Sequence, residues 1–320
     1  MIPLLMFLAL DKLTFAAGYI PNIQFAPFYI AAERGYYQQA GLEIEFDYTI
    51  GPDVLKMVAK GHIQVGSVDP DAYLIATHRG MPLVHLATLY QNYPITLISK
   101  KPIVTGADLK DSAIGISGTF GASYLGLKAI LKQFHLVPTD LDIRSIGYNQ
   151  VSYYQQNKVD AVVGYINNEA VILKQMGLDV HNTQLKQNGH LPGVGLMSSQ
   201  VVLKNHGSKV NAFLIATFRG VQDVLAEPES CFNEVMRAYL PHLETEAHLE
   251  TTRAVFEATL PFLQSDWSDS NGLGQCSQES WKRLQLLMQN EGLLPVEFEW
   301  QQHVDRSFLY SRKESKNIQD

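Results

Sequence analysis

One loop, residues 18–31, carries an aromatic side chain, Tyr19, and two amides, Asn22 and Gln24, in close succession. It follows a strand-like run and leads into a helix, so the free N–H groups of a helix start lie beside it. An aromatic face flanked by amide donors and acceptors suits a flat, polar heterocycle. The loop holds no acid–base pair and no nucleophile. Its chemistry is that of holding a molecule rather than transforming it.

Other candidates fall at the ends of later strand-like runs, where open α/β sheets place ligands. Tyr90 could stack on a ring while Gln91 reads its edge. Gly118, Thr119, Phe120, Gly121 and Ser123 open a helix, and their N–H groups and the Ser123 hydroxyl could receive a carbonyl, hydroxyl or anionic group. Asn149, Tyr165 and Glu169 end strands on what should be the opposite wall of a cleft. Asp69 either faces that cleft or caps the helix beginning at Pro70. Asn168 reads as a helix cap rather than a contact.

Patterns for catalysis are missing. No Gly-x-Ser-x-Gly elbow occurs, since Ser117 is followed directly by Gly118. The 118–123 loop lacks the Gly-Lys-Ser/Thr of a phosphate-binding loop. The 10 histidines show no His-Glu-x-x-His or paired metal spacing. Cys231 and Cys276 fit neither zinc nor redox spacing; they are either two unpaired core thiols or, in an exported protein, a disulfide. No cofactor and no metal are expected.

These residues need elements to position them. From Lys12 to Leu203 short β-branched or aromatic runs alternate with helical stretches, which predicts βαβ units. The first series has strands at 13–17, 42–48, 63–68 and 83–89, with helices at 25–34, 52–60 and 71–79. A second has strands at 113–117, 143–146 and 161–165, with helices at 120–134, 150–156 and 168–176. A strand at 196–203 follows, and the rest is helical: 208–226, 230–240, 249–263 and 278–290. Trp281 and Trp300 read as packing residues of that tail.

Two such series joined by extended segments at 93–99 and 196–203 predict two lobes and a hinge, with mostly parallel sheets. Lobe one would comprise 11–94 and 200–310, and lobe two 95–199. Residues 311–320 read as a frayed tail. The apolar residues 1–10 read as the remnant of an export signal, or else as an N-terminal strand or tail. A length of 320 residues fits two domains. The net charge of −7 argues against nucleic acid or an anionic membrane as partner.

The chain resembles the periplasmic substrate-binding proteins of bacterial ABC importers. The resemblance rests on residues 18–31, on Ala32-Glu33-Arg34-Gly35-Tyr36-Tyr37 with Gly41-Leu42, and on the 116–123 segment. It continues through Gly147-Tyr148-Asn149-Gln150, Val159-Asp160-Ala161 and the Ser280-Trp281 helix ending at Gly292-Leu293-Leu294. The most similar branch handles thiamine's pyrimidine precursors, with riboflavin-binding and alkylsulfonate-binding relatives nearby. The resemblance implies a two-lobed type II binding-protein fold and a periplasmic monomer that delivers a small aromatic heterocycle to ABC permease subunits. A hydroxymethylpyrimidine-type ligand is the first expectation and riboflavin the alternative.

The same fold hosts a thiamine pyrimidine synthase, which uses a lysine and a histidine with pyridoxal phosphate and carries a cysteine-rich cluster. Here the segment 67–80 contains no lysine, and no cysteine cluster exists in the chain. Both departures count against an enzyme.

Overall fold

The computed structural model describes residues 10–308, apart from 51, 120, 186–190, 244 and 306. The expectations of an export-signal remnant and of a frayed tail at 311–320 fall essentially outside these residues. Ten strands are described: β1 Asp11–Gly18, β2 Leu42–Ile50, β3 Val65–Val68, β4 Leu83–Thr88, β5 Ile95–Ser99, β6 Ala113–Ile116, β7 Asp142–Ser145, β8 Ala161–Tyr165, β9 His181–Gln184 and β10 Gly195–Ser199. They form two five-stranded sheets, ordered β2-β1-β3-β10-β4 and β7-β6-β8-β5-β9.

Both sheets are mixed, with more antiparallel pairing than the alternating sequence pattern suggests. Pairings β1–β2, β1–β3, β6–β7 and β6–β8 are parallel, whereas β10 runs antiparallel to β3 and β4, and β5 antiparallel to β8 and β9. The antiparallel strand β5 is the first of the second sheet, and β10 is the strand by which the chain returns to the first. Residues 195–199 therefore lie in the first sheet, although the expected boundary put them with lobe two. The return crossing precedes β10 instead of coinciding with it. Strand β9 escaped the sequence reading because the run His-Asn-Thr-Gln has no apolar alternation.

The helices are α1 Ala26–Glu33, α2 Tyr36–Gln39, α3 Pro52–Ala59, α4 Pro70–His78, α5 Gly121–Gln133, α6 Gln150–Gln155, α7 Glu169–Gln175, α8 Gln200–Ala226, α9 Pro228–Tyr239, α10 Glu246–Thr259, α11 Asp266–Asn271 and α12 Gln278–Asn290. The strand expected at 196–203 ends at Ser199. The Ser199 hydroxyl accepts from the Val202 N–H and caps α8, so a helix start overrides the β-branched pair Val201-Val202.

Packing ties the C-terminal helices to the first sheet. Phe15 of β1 stacks on Phe28 of α1 with ring centroids 4.3 Å apart, and Phe213 of α8 joins them. At Gly220 any Cβ would sit 2.1 Å from the Pro27 carbonyl oxygen, so glycine is what allows α8 to lie this close to α1. Trp281 and Trp300 stack at 5.8 Å in a second core with Val54, Leu74 and Met197. Cys231 and Cys276 are both buried and are not joined in a disulfide. Among the described residues, no helix is long and apolar enough to cross a membrane.

Candidate ligand-binding site

A cavity of about 460 Å³ opens between the two sheets and is lined from both sides. At the end of β1, Gly18 has φ +80°, and a Cβ there would meet the Ser67 carbonyl oxygen at 2.6 Å. Only glycine turns the chain out at this point, and the turn delivers Tyr19 to the cavity. The Tyr19 ring meets that of Tyr148, from the loop after β7, edge to face at a centroid distance of 5.9 Å. Burial and the nearby Glu169 carboxylate push the Tyr19 hydroxyl up to about 12, so it remains a neutral donor.

Asn22 does not line the cavity. Its side chain accepts from the Gln24 N–H at 3.0 Å and caps the short turn Ile23–Phe25. Its part is to hold Gln24, which does line the cavity and donates through Nε2 to the Tyr90 hydroxyl at 3.2 Å. Tyr90 is buried, tilted against Phe262, and forms part of the wall. Gln91 points elsewhere: it donates to the Thr88 carbonyl and accepts from the Ser265 hydroxyl.

Asp69 sits at the N-cap position of α4, yet its side chain makes no capping bond. It accepts instead from the Tyr165 hydroxyl at the end of β8 in the other sheet. The capping alternative for Asp69 is thereby corrected. Two residues on, Asp71 is fully buried. It accepts from the Tyr93 hydroxyl at 3.4 Å through one oxygen, while the other has no partner. Burial raises both carboxyls above the usual carboxylate range, and the charge of Asp69 raises Asp71 further.

On the facing side, Gly121, Ala122 and Ser123 reach the cavity from the start of α5, and the Ser123 and Ser117 hydroxyls share a hydrogen bond of 2.6 Å. Gly118 and Thr119 do not line it, and Phe120 lies outside the described residues. Asn149 turns back to donate to the Ile146 carbonyl, leaving its neighbours Tyr148 and Gln150 to face the cavity. At the end of β8, the Glu169 carboxylate accepts from the Tyr165 N–H at 2.8 Å and from Asn168 Nδ2 at 3.0 Å. Burial raises the Glu169 carboxyl. Gly164 makes room for it: a Cβ there would lie 3.0 Å from Glu169 Oε2.

Of the residues singled out from sequence, Tyr19, Gln24, Asp69, Tyr90, Gly121, Ser123, Tyr165 and Glu169 meet around this one cavity. Ser117, Tyr148, Gln150 and Asn168 also line the cavity but were not among the contacts chosen from sequence. For Tyr148 the signal was present, since the aromatic neighbour of a strand-end amide is the better ring-binding group. Asn168 stands at the N-cap of α7 but makes no side-chain capping bond, so reading it as a cap is also corrected. The lining contains no histidine and no cysteine. No group of three metal-ligating side chains occurs among the described residues. The arrangement offers ring faces, amide and carboxylate acceptors, and hydroxyl donors.

A family model described as NMT1/THI5 like matches residues 22–231. The chain belongs to this family. Its relatives include the riboflavin-binding protein RibY of Chloroflexus aurantiacus, 32% identical over 94% of this chain and 86% of that one. Within the same family, the 4-amino-5-hydroxymethyl-2-methylpyrimidine phosphate synthase THI11 of Saccharomyces cerevisiae is 26% identical, over 83% of each chain. The fold is that of periplasmic binding proteins. The alkanesulfonate-binding protein SsuA of Xanthomonas axonopodis superposes with a TM-score of 0.73 at 16% identity, over 92% of this chain and 98% of that structure.

Proposed function

We propose that this chain is the solute-binding protein of an ABC importer and that its cavity captures a flat aromatic heterocycle, with riboflavin as the ligand. The observation that carries this reading is the convergence of Tyr19 and Tyr148, from opposite sides, on a cavity of about 460 Å³ with buried amide and carboxylate groups. That volume lies in the range of roughly 300–1,000 Å³ typical for sites of drug-sized ligands. A tricyclic ring with a polyol chain fits that class, whereas a single substituted pyrimidine falls short of it. The likeness to RibY supports the same ordering. The sequence reading had placed a thiamine pyrimidine precursor first, and that ligand now stands second.

In this account the two sheets with their helices are two lobes, and the crossings after β4 and before β10 form the hinge. Ligand contacts from both lobes exist only when the lobes meet, so binding shifts the population toward closure. The closed form then presents itself to permease subunits outside the cytoplasmic membrane, as a monomer. Chemistry on the ligand is not part of the account: the lining has no histidine, and its lysine, Lys56, stands on α3 and not in the 67–80 segment, which has none. Native mass spectrometry of the purified protein tests the reading. A co-purified mass equal to riboflavin supports it, and a pyrimidine of hydroxymethyl type transfers the assignment to the second ligand.

A further inference from the structure

Asn168 is 4% exposed and lines the cavity, and its Oδ1 is buried without any hydrogen-bond partner. Leaving an amide oxygen desolvated and unpaired is costly, so such an atom inside a binding cavity marks a place for a donor from the ligand. The amide is not free to turn. Its Nδ2 donates to Glu169 Oε1 at 3.0 Å, and Glu169 is itself held as an acceptor by the Tyr165 N–H at 2.8 Å. With Nδ2 donating to Glu169 Oε1, the amide oxygen of Asn168 faces away from Glu169. The adjacent Asn167 also has a buried Oδ1 without a partner, but its Nδ2 donates to Thr259 and it does not line the cavity, so of the two only Asn168 can meet a ligand.

We infer that Asn168 is a specificity-determining residue whose Oδ1 accepts a hydrogen bond from a ring N–H of the bound heterocycle, with Glu169 fixing the orientation of the amide. The inference rests on the riboflavin reading, in which the donor is the imide N–H between the two carbonyls of the isoalloxazine ring. It goes beyond that reading by naming the edge of the ring that is recognised. A site built to accept from an N–H discriminates strongly against an analogue lacking it, because the buried acceptor is then left unpaired. The Asn168 side chain lies within hydrogen-bond reach of the Tyr19 hydroxyl, so the amide and the Tyr19 side chain meet the ligand in one part of the cavity.

The test uses riboflavin and N3-methylriboflavin with the full-length chain, by quenching of flavin fluorescence. Wild type should bind the methylated analogue at least tenfold more weakly. Asn168→Ala should weaken riboflavin at least tenfold and narrow the difference between the two ligands to less than threefold. Equal affinity of wild type for both ligands overturns the inference without any variant, and leaves the riboflavin reading standing. A difference that persists undiminished in a folded Asn168→Ala also overturns it. No saturable binding of riboflavin at all removes the riboflavin reading and this inference together.

Discussion

The Tyr165 hydroxyl, at the end of β8 in the second sheet, donates to the Asp69 carboxylate at the start of α4 against the first. This bond joins the two halves of the cavity with groups that also form its wall. Tyr165→Phe leaves Asp69 buried without its donor, an error worth about 1–3 kcal/mol. The variant should therefore bind ligand roughly tenfold more weakly while retaining its fold. Calorimetry on the variant checks this, and unchanged affinity would detach the contact from binding.

Tyr19 and Tyr148 should behave as ring-stacking groups. Tyr19→Ala is expected to lose about 1 kcal/mol or more of ligand affinity, and Tyr19→Phe very little. The pair of titrations separates the ring from the hydroxyl. A loss in Tyr19→Phe as large as in Tyr19→Ala would mean that the hydroxyl, rather than the face, carries the contact.

Buried acids make stability depend on pH with a definite sign. Asp71 keeps its proton in the folded chain to higher pH than in the unfolded one. As pH rises from about 4 through neutrality, the unfolded state releases that proton while the folded state still holds it. The folded state binds more protons, so stability falls over this range; Asp69 acts in the same direction. His85, pushed down to about 3 by burial, acts in the opposite one. The informative quantity is therefore the difference between Asp71→Asn and wild type. The amide mimics the protonated acid, and the melting temperature of the variant should exceed that of wild type by more at pH 8 than at pH 5. Parallel profiles would count against the raised acid.

A second contact between the halves lies outside the cavity. Lys128 and Lys132, one turn apart on α5, reach Glu291 beyond the end of α12 at 3.5 and 3.3 Å. If closure accompanies binding, Glu291→Gln should weaken ligand affinity by about 0.5–1 kcal/mol without touching the ligand, the size expected of a partly exposed pair. The effect should disappear in 1 M salt, where screening removes the pair's contribution in wild type as well. Identical affinities of variant and wild type at low salt would assign these lysines to local packing alone.

Legibility in the sequence followed the strength of the local signal. Strand β8 and the helices around Pro27 and Pro70 were plain, because apolar runs, turns and N-terminal prolines agree there. The loop after β1 was found through residue type, and its Tyr19 and Gln24 do face the cavity. Direction was harder to read. Asn22, Gln91 and Asn149 have the right chemistry at strand ends, but each spends its side chain on nearby backbone. Asp69 and Asn168 looked like caps because capping is the commoner use of these types at helix starts. Their true partners, Tyr165 and the Glu169 carboxylate, depend on the three-dimensional arrangement of β8 and α7. The 196–203 segment was misread because β-branched residues in a first helical turn look like a strand.

Titration of riboflavin into the purified protein, followed by flavin fluorescence and by recovery of the ligand, tests the central claim most directly. The account predicts saturable one-to-one quenching with Kd below about 1 µM, a binding free energy of about −8 kcal/mol. It also predicts that the riboflavin is recovered chemically unchanged after prolonged incubation. Absence of saturation at ligand concentrations far above that value, or conversion of the bound ligand to a product, would contradict it.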